Sequence, residues 1–168
     1  MGNEMNSKMP FKADVVGSLL RPAAILDARR KRDAGEISDD ALWEIENRSI
    51  EDAVAMQKSV GLKVCTDGEF HRRHWFLDFL EKIDGVEVHG GLSTKFHNEK
   101  GDVEFAPPRF EVHARVKRSQ ALSSPDFEVL KPIAERHGLV PKQPIPSPMC
   151  VHFRGGRAAI DKKIYPDV

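Results

Sequence analysis

Val64-Cys65-Thr66-Asp67-Gly68-Glu69-Phe70-His71-Arg72-Arg73-His74-Trp75 is the stretch that decides how this chain is read. It opens apolar after Gly61 and closes on a burst of ionisable groups. The opening reads as a short buried strand, and alternation along a strand places residues 65, 67 and 69 on one face. A thiol and two carboxylates then share a side, with His71, Arg72, Arg73 and His74 following at once. Gly68 lets the backbone turn or come close to a ligand. Polar groups crowded at the C-terminal end of a strand are what an α/β active site looks like. The competing reading is a solvated loop whose charges pair with each other, since ion-pair networks gather the same residue types.

Upstream of this stretch, Leu42, Ile45, Ala53, Met56 and Val60 recur at helical spacing, with Ser49 in the gap. Ser38 is the expected N-cap and Gly61 the stop. Before that, Ala13 to Ser18 reads as a short strand ending in Gly-Ser, and Pro22 opens a helix that Gly35 stops. Residues 1–10 read as a disordered arm. Downstream, Trp75 to Leu80 starts a helical segment whose aromatics belong to a core. From Gly85 to Pro108, glycines at 85, 90, 91 and 101 interleave with Val86, Val88, Val103 and Phe105, which predicts an irregular β-hairpin excursion. Phe110 to Val116 alternates as a strand, and Ser124-Pro125-Asp126 opens a helix that His137-Gly138 ends. Lys142 to Pro148 is the fourth expected strand, short or irregular because its prolines forbid a full ladder.

Strands alternating with helices predict an α/β fold with a parallel sheet and right-handed crossovers. Functional-looking groups follow three of the strands: Gly17-Ser18, Asp67 to His74, and Ser147 to Arg157. Their convergence on one face suggests a TIM barrel.

Composition narrows the function. The 168 residues suffice for one domain with a real core. Lys plus Arg and Asp plus Glu both number 26, so the net charge is zero, against a general nucleic-acid or anionic-membrane binder. No apolar run approaches the roughly 18 residues of a membrane span, and the N-terminus lacks a signal-peptide core. Cys65 and Cys150 make no disulfide framework and read as reduced cytoplasmic thiols. Cys150-x-His152, with Cys65 and His71 or His74, could form a soft metal site, but the spacing fits no common zinc pattern, so no metal is expected in this chain. Gly155-Gly156 between Arg154 and Arg157 either binds a carboxylate or phosphate or is a flexible loop with solvated arginines. Gly-x-Ser-x-Gly is absent, and no catalytic residue is assigned.

Three motifs together carry a resemblance: Val15-Val16-Gly17-Ser18 with Arg21-Pro22, Thr66-Asp67-Gly68-Glu69-Phe70 with Arg72, and Ser147-Pro148 with His152-Phe153-Arg154-Gly155-Gly156-Arg157. In this order and spacing they resemble the C-terminal catalytic barrel of the cobalamin-independent methionine synthase family, most of all its short stand-alone bacterial homologues. The resemblance covers about Phe11 to Val168. It implies methyl transfer from a methyl-folate donor to the homocysteine thiol, in the cytoplasm, with a zinc that holds the thiol as thiolate. It maps the amino-acid contacts onto Gly17, Ser18 and Glu69, a carboxylate suiting an ammonium group and a hydroxyl with nearby amides suiting a carboxylate. Asp67, Arg72, His152 and Arg154 complete the candidate substrate-binding set. A whole TIM barrel takes about 250 residues, so residues 11–168 read as its first half: four parallel strands plus the excursion. The family's zinc ligands, a His-x-Cys pair, a Glu and a later Cys, fall outside that half, and no His-x-Cys occurs here. Open sheet edges then imply self-association or a partner chain that completes the barrel. Two other readings remain: a thiol alkyltransferase of the same superfamily, and a non-catalytic fragment or subunit.

Overall fold

The computed structural model describes residues 14–90, 94–99, 101–105, 109–147, 149–150 and 156–167. The expected N-terminal arm, Ala13, and the loop residues His152, Arg154 and Gly155 lie outside them. In chain order the elements are α1 (Ala23–Asp33), α2 (Asp39–Ser59), β1 (Val64–Cys65), α3 (Leu77–Leu80), β2 (Asp84–His89), β3 (Thr94–Asn98), β4 (Gly101–Phe105), β5 (Arg109–Lys117), α4 (Ser124–His137), β6 (Val140–Pro141) and a 3-10 turn at Gly156–Ala159. They fall into two compact units, Met1–Phe70 with Val129–Pro144, and His71–Glu128 with Ile145–Val168. The boundary passes through α4, whose first residues belong to the second unit.

The first unit is built from α1, α2, the last part of α4 and the parallel pair β1–β6. The Ser38 hydroxyl caps α2 by accepting from Ala41 N–H at 3.1 Å, and Asp39 and Asp40 sit at its positive end. Its inner face carries Leu42, Glu46, Ser49, Ile50, Ala53, Val54 and Gln57. Met56 and Val60, expected inside, are exposed. The difference is a rotation of the buried stripe: Glu46 and Gln57 face inward because each finds a hydrogen-bonding partner there, so polarity misplaced the face. Ile25 and Ala28 bury the inner side of α1, and Leu130, Ile133 and Ala134 that of α4. The β1–β6 register pairs Val64 with Val140 and Cys65 with Pro141.

The second unit centres on Phe76, Leu77, Leu80 and Phe110, with Phe79, Ile83, Val86, Val88 and Cys150 packed around them. The β-rich excursion is present and longer than expected. It consists of two antiparallel pairs, β2 with β5 and β3 with β4. β5, expected as a parallel strand, belongs to the first of these. Its alternation is genuine, burying Phe110 and Val112, but alternation does not reveal the direction of a partner.

Two further strands differ from expectation. Residues 14–20 are irregular rather than extended in a sheet, and the segment after β6 leaves the ladder at once. Pro144 and Pro146 have no N–H to donate, which ends pairing at Pro141. Among the described residues the parallel pairing of four strands therefore reduces to β1–β6 and an isolated parallel bridge between Val112 and Ile160 in the second unit. The architecture is α/β with parallel and antiparallel sheets. No helix of the described residues is long and apolar enough to cross a membrane.

Candidate functional site

β1 stops at Cys65, so residues 65, 67 and 69 do not share a strand face as the alternation implied. Residues 66–70 form a tight turn instead, and the turn decides where the carboxylates go. Thr66 and Asp67 are fully buried and Glu69 nearly so. Asp67 Oδ1 accepts from Glu69 N–H at 2.9 Å, an Asx turn that reverses the chain. Gly68 has φ +67° and Glu69 φ +58°, and Glu69 is the only described non-glycine residue in that left-handed region.

Each carbonyl of this turn is held, four of the five from outside it. Gln57 on α2 donates to Thr66 O at 2.9 Å and accepts from Thr66 N–H at 3.0 Å. Phe70 N–H donates to Asp67 O at 3.3 Å, and Leu19 N–H to Gly68 O at 3.1 Å. Arg21 Nη2 reaches Glu69 O at 3.4 Å. Arg29 on α1 donates to Phe70 O at 2.5 Å and to Glu46 Oε1 on α2 at 2.8 Å. Such anchoring keeps a strained turn in one conformation.

The first-strand motif meets the turn through Thr66 and Gly17. Thr66 Oγ1 donates to Gly17 O at 2.7 Å and accepts from Gly68 N–H at 3.2 Å. A Cβ on Gly17 would lie 3.1 Å from Glu69 Oε1 and 2.5 Å from Pro144 Cγ. Glycine is thus required here by close approach, with the Glu69 carboxylate and the Pro144 ring seated against its Cα. Lys142 ties residues 14–15 to the end of β6, with Nζ at 2.8 Å from Asp14 Oδ2 and 2.6 Å from Val15 O. Its hydrogen bond holds the Asp14 carboxyl below the usual carboxylate range.

Of the expected substrate-binding residues, the first unit thus brings Gly17, Asp67 and Glu69 together, with Ser18 exposed beside Gly17. Arg72 lies in the second unit, buried, with Nε 3.9 Å from Asp126 Oδ2 and Nη1 3.3 Å from Trp75 O. His71 Nδ1 is 3.8 Å from Asp126 Oδ1 in the same unit. His152 and Arg154 are outside the described residues. Gln57, Arg29 and Glu46 had not been singled out. The available signal was polar residues on the stripe side of α2, a pattern that asks for buried partners.

Among the described residues, neither cysteine sits in a setting suited to a zinc-thiolate centre. Burial pushes the Cys65 thiol up from its ordinary value, favouring the neutral form over the thiolate that a metal needs. Cys150 packs against the apolar cluster of the second unit.

The family model described as the catalytic domain of cobalamin-independent synthase matches residues 11–95. The uncharacterized protein YxjH of Bacillus subtilis is 41% identical over 165 residues, which cover 98% of this chain and 41% of YxjH. A methionine synthase of Saccharolobus islandicus is 34% identical over 85 residues, covering 50% of this chain and 26% of that protein. The crystal structure of a Listeria monocytogenes protein, provisionally named a vitamin-B12-independent methionine synthase, superposes with a TM-score of 0.69 at 39% identity. That match covers 90% of this chain and 40% of the Listeria protein. The chain thus spans about two fifths of the length of YxjH and of the Listeria protein.

Proposed function

Because the chain belongs to the cobalamin-independent synthase catalytic-domain family, we propose that it takes part in methyl transfer to the thiol of homocysteine from a methyl-folate donor, and that its first unit binds the amino-acid part of the acceptor. The observation that carries this reading is the placement of Glu69 Oε1 against Gly17, 3.1 Å from where a Cβ would stand. A carboxylate held beside bare backbone, on a turn anchored at each carbonyl, is a preorganised receptor for an ammonium group. The Ser18 hydroxyl, exposed next to Gly17, suits the ligand's carboxylate. Arg72, His152 and Arg154 remain candidates for the rest of the substrate. Residues 11–168 correspond in this reading to the first half of a TIM-type barrel.

A second reading is favoured by the two cysteines. Neither is placed as a zinc ligand, so the group that activates the acceptor thiol belongs to residues other than these. In that case the chain is the amino-acid-binding part of an assembly, completed by a partner chain or a second copy.

Calorimetric titration of L-homocysteine, or of its product L-methionine, into the 168-residue chain and into Glu69→Gln tests the site. Loss of a charge-assisted contact costs about 1.5–3 kcal/mol, so the variant should bind roughly tenfold to a hundredfold more weakly. Equal affinities would remove Glu69 from the site, and a wild type that binds neither ligand would sink the amino-acid reading as a whole.

A further inference from the structure

Gln143 follows the C-terminal end of β6. Because β6 runs parallel to β1 and beside it, Gln143 and the 66–70 turn leave the pair at the same edge. The residues flanking Gln143 are both fixed. Lys142 N–H donates to Cys65 O at 2.8 Å, and the Pro144 ring packs on Gly17. Among the described residues, by contrast, neither end of the Gln143 side chain has a hydrogen-bond partner, and Nε2 and Oε1 are both shut off from solvent. Gln57, the other amide at this edge, makes three hydrogen bonds, to Ala53 O, Thr66 O and Thr66 N. An amide with both polar atoms buried and neither satisfied is rare and asks for a partner from outside the chain.

We propose that Gln143 is a specificity-determining contact for an α-amino-acid ligand at Gly17 and Glu69, its Nε2–H donating to the ligand carboxylate and its Oε1 accepting from the ligand ammonium. An amide carries a donor and an acceptor side by side without titrating, and so it matches both poles of a zwitterion at once. The inference rests on the amino-acid reading of the Gly17–Glu69 site and adds to it the demand for an intact carboxylate.

The test uses the whole chain, L-methionine, and methylthiopropylamine, which lacks the carboxylate. Gln143→Leu removes an unsatisfied amide at similar volume. It should melt at or above the wild-type temperature while binding L-methionine at least tenfold more weakly. Gln143→Glu keeps an acceptor but turns the donor into an anion, so preference should swing toward the amine. A Gln143→Leu protein that melts well below wild type, or that binds L-methionine like wild type, overturns this inference and leaves Glu69 in place. A wild type that binds neither probe overturns the amino-acid site and this inference together.

Discussion

Thr66 is the residue on which the site should fail most visibly. Its side chain is fully buried, and one hydroxyl serves two backbone groups, donating to Gly17 O at 2.7 Å and accepting from Gly68 N–H at 3.2 Å. Thr66→Val keeps the shape and removes both bonds, leaving a carbonyl and an amide buried without this partner. Each orphaned group costs about 1–3 kcal/mol, so the pair should cost about 2–6 kcal/mol. Thr66→Ser keeps both bonds and gives up one methyl, which costs about 1 kcal/mol. For a chain of this size one kcal/mol moves Tm by roughly 2–4 °C. Valine should therefore lower Tm by about 4–24 °C and serine by about 2–4 °C, as read by calorimetry. The order is the informative part, because burial of apolar surface alone predicts the reverse. If the valine variant melts with wild type, or above the serine variant, the hydroxyl does not hold Gly17 to the turn.

Other outcomes follow from the same contacts. Burial raises the Cys65 pKa above its ordinary 9.0, so the neutral-thiol contribution is complete below about pH 9 and declines above it, where the unfolded chain ionises first. Urea midpoints should fall in wild type as the pH rises past about 9, and Cys65→Ala should flatten that fall. Arg29→Met takes the cation from Glu46 and the donor from Phe70 O; breaking so buried a pair costs about 3–5 kcal/mol, and adding Glu46→Leu should recover part of it. Glu69→Gly removes the left-handed strain at φ +58°, worth about 1 kcal/mol, so it should hold or raise Tm while abolishing L-methionine binding.

The helices were legible because their signals are local. Ser38, Gly35 and Gly138 bound their helices as caps and stops do, and α4 runs over the residues expected of it. The excursion was legible as β-structure from its glycines and β-branched residues. What local patterns could not supply was pairing. β5 alternates like any half-buried strand, and only its partner β2 makes it antiparallel. The Gly17–Glu69 meeting was expected on motif grounds, but through a strand face that does not exist. Gly68 signalled a turn, yet nothing in the sequence set the left-handed backbone of Glu69, which depends on Asp67, Arg21 and Leu19 acting across the fold. Gln57 and Glu46 misled the reading of α2 for the same reason: a polar residue looks outward until its buried partner is known.

The distribution of buried polarity in the first unit is itself an argument about function. On α1 and α2, the apolar residues Ile25, Ala28, Ile50 and Val54 are buried in the ordinary way. At the carboxyl edge of β1 and β6, the buried residues are Thr66, Asp67 and Glu69, with Gln57 and the Arg29–Glu46 pair behind them. Apolar residues of the same volume at those positions would serve stability as well or better, since a buried ion pair at best breaks even against a hydrophobic isostere. Sequences keep such local violations where a site demands them. Here Gln57, Arg21 and Arg29 each place a hydrogen bond on backbone atoms of the turn, and so fix its path. Fixing that path fixes Glu69, whose carboxylate is thereby held against Gly17 before any ligand arrives. Preorganisation of this kind is what the proposed amino-acid site would draw on.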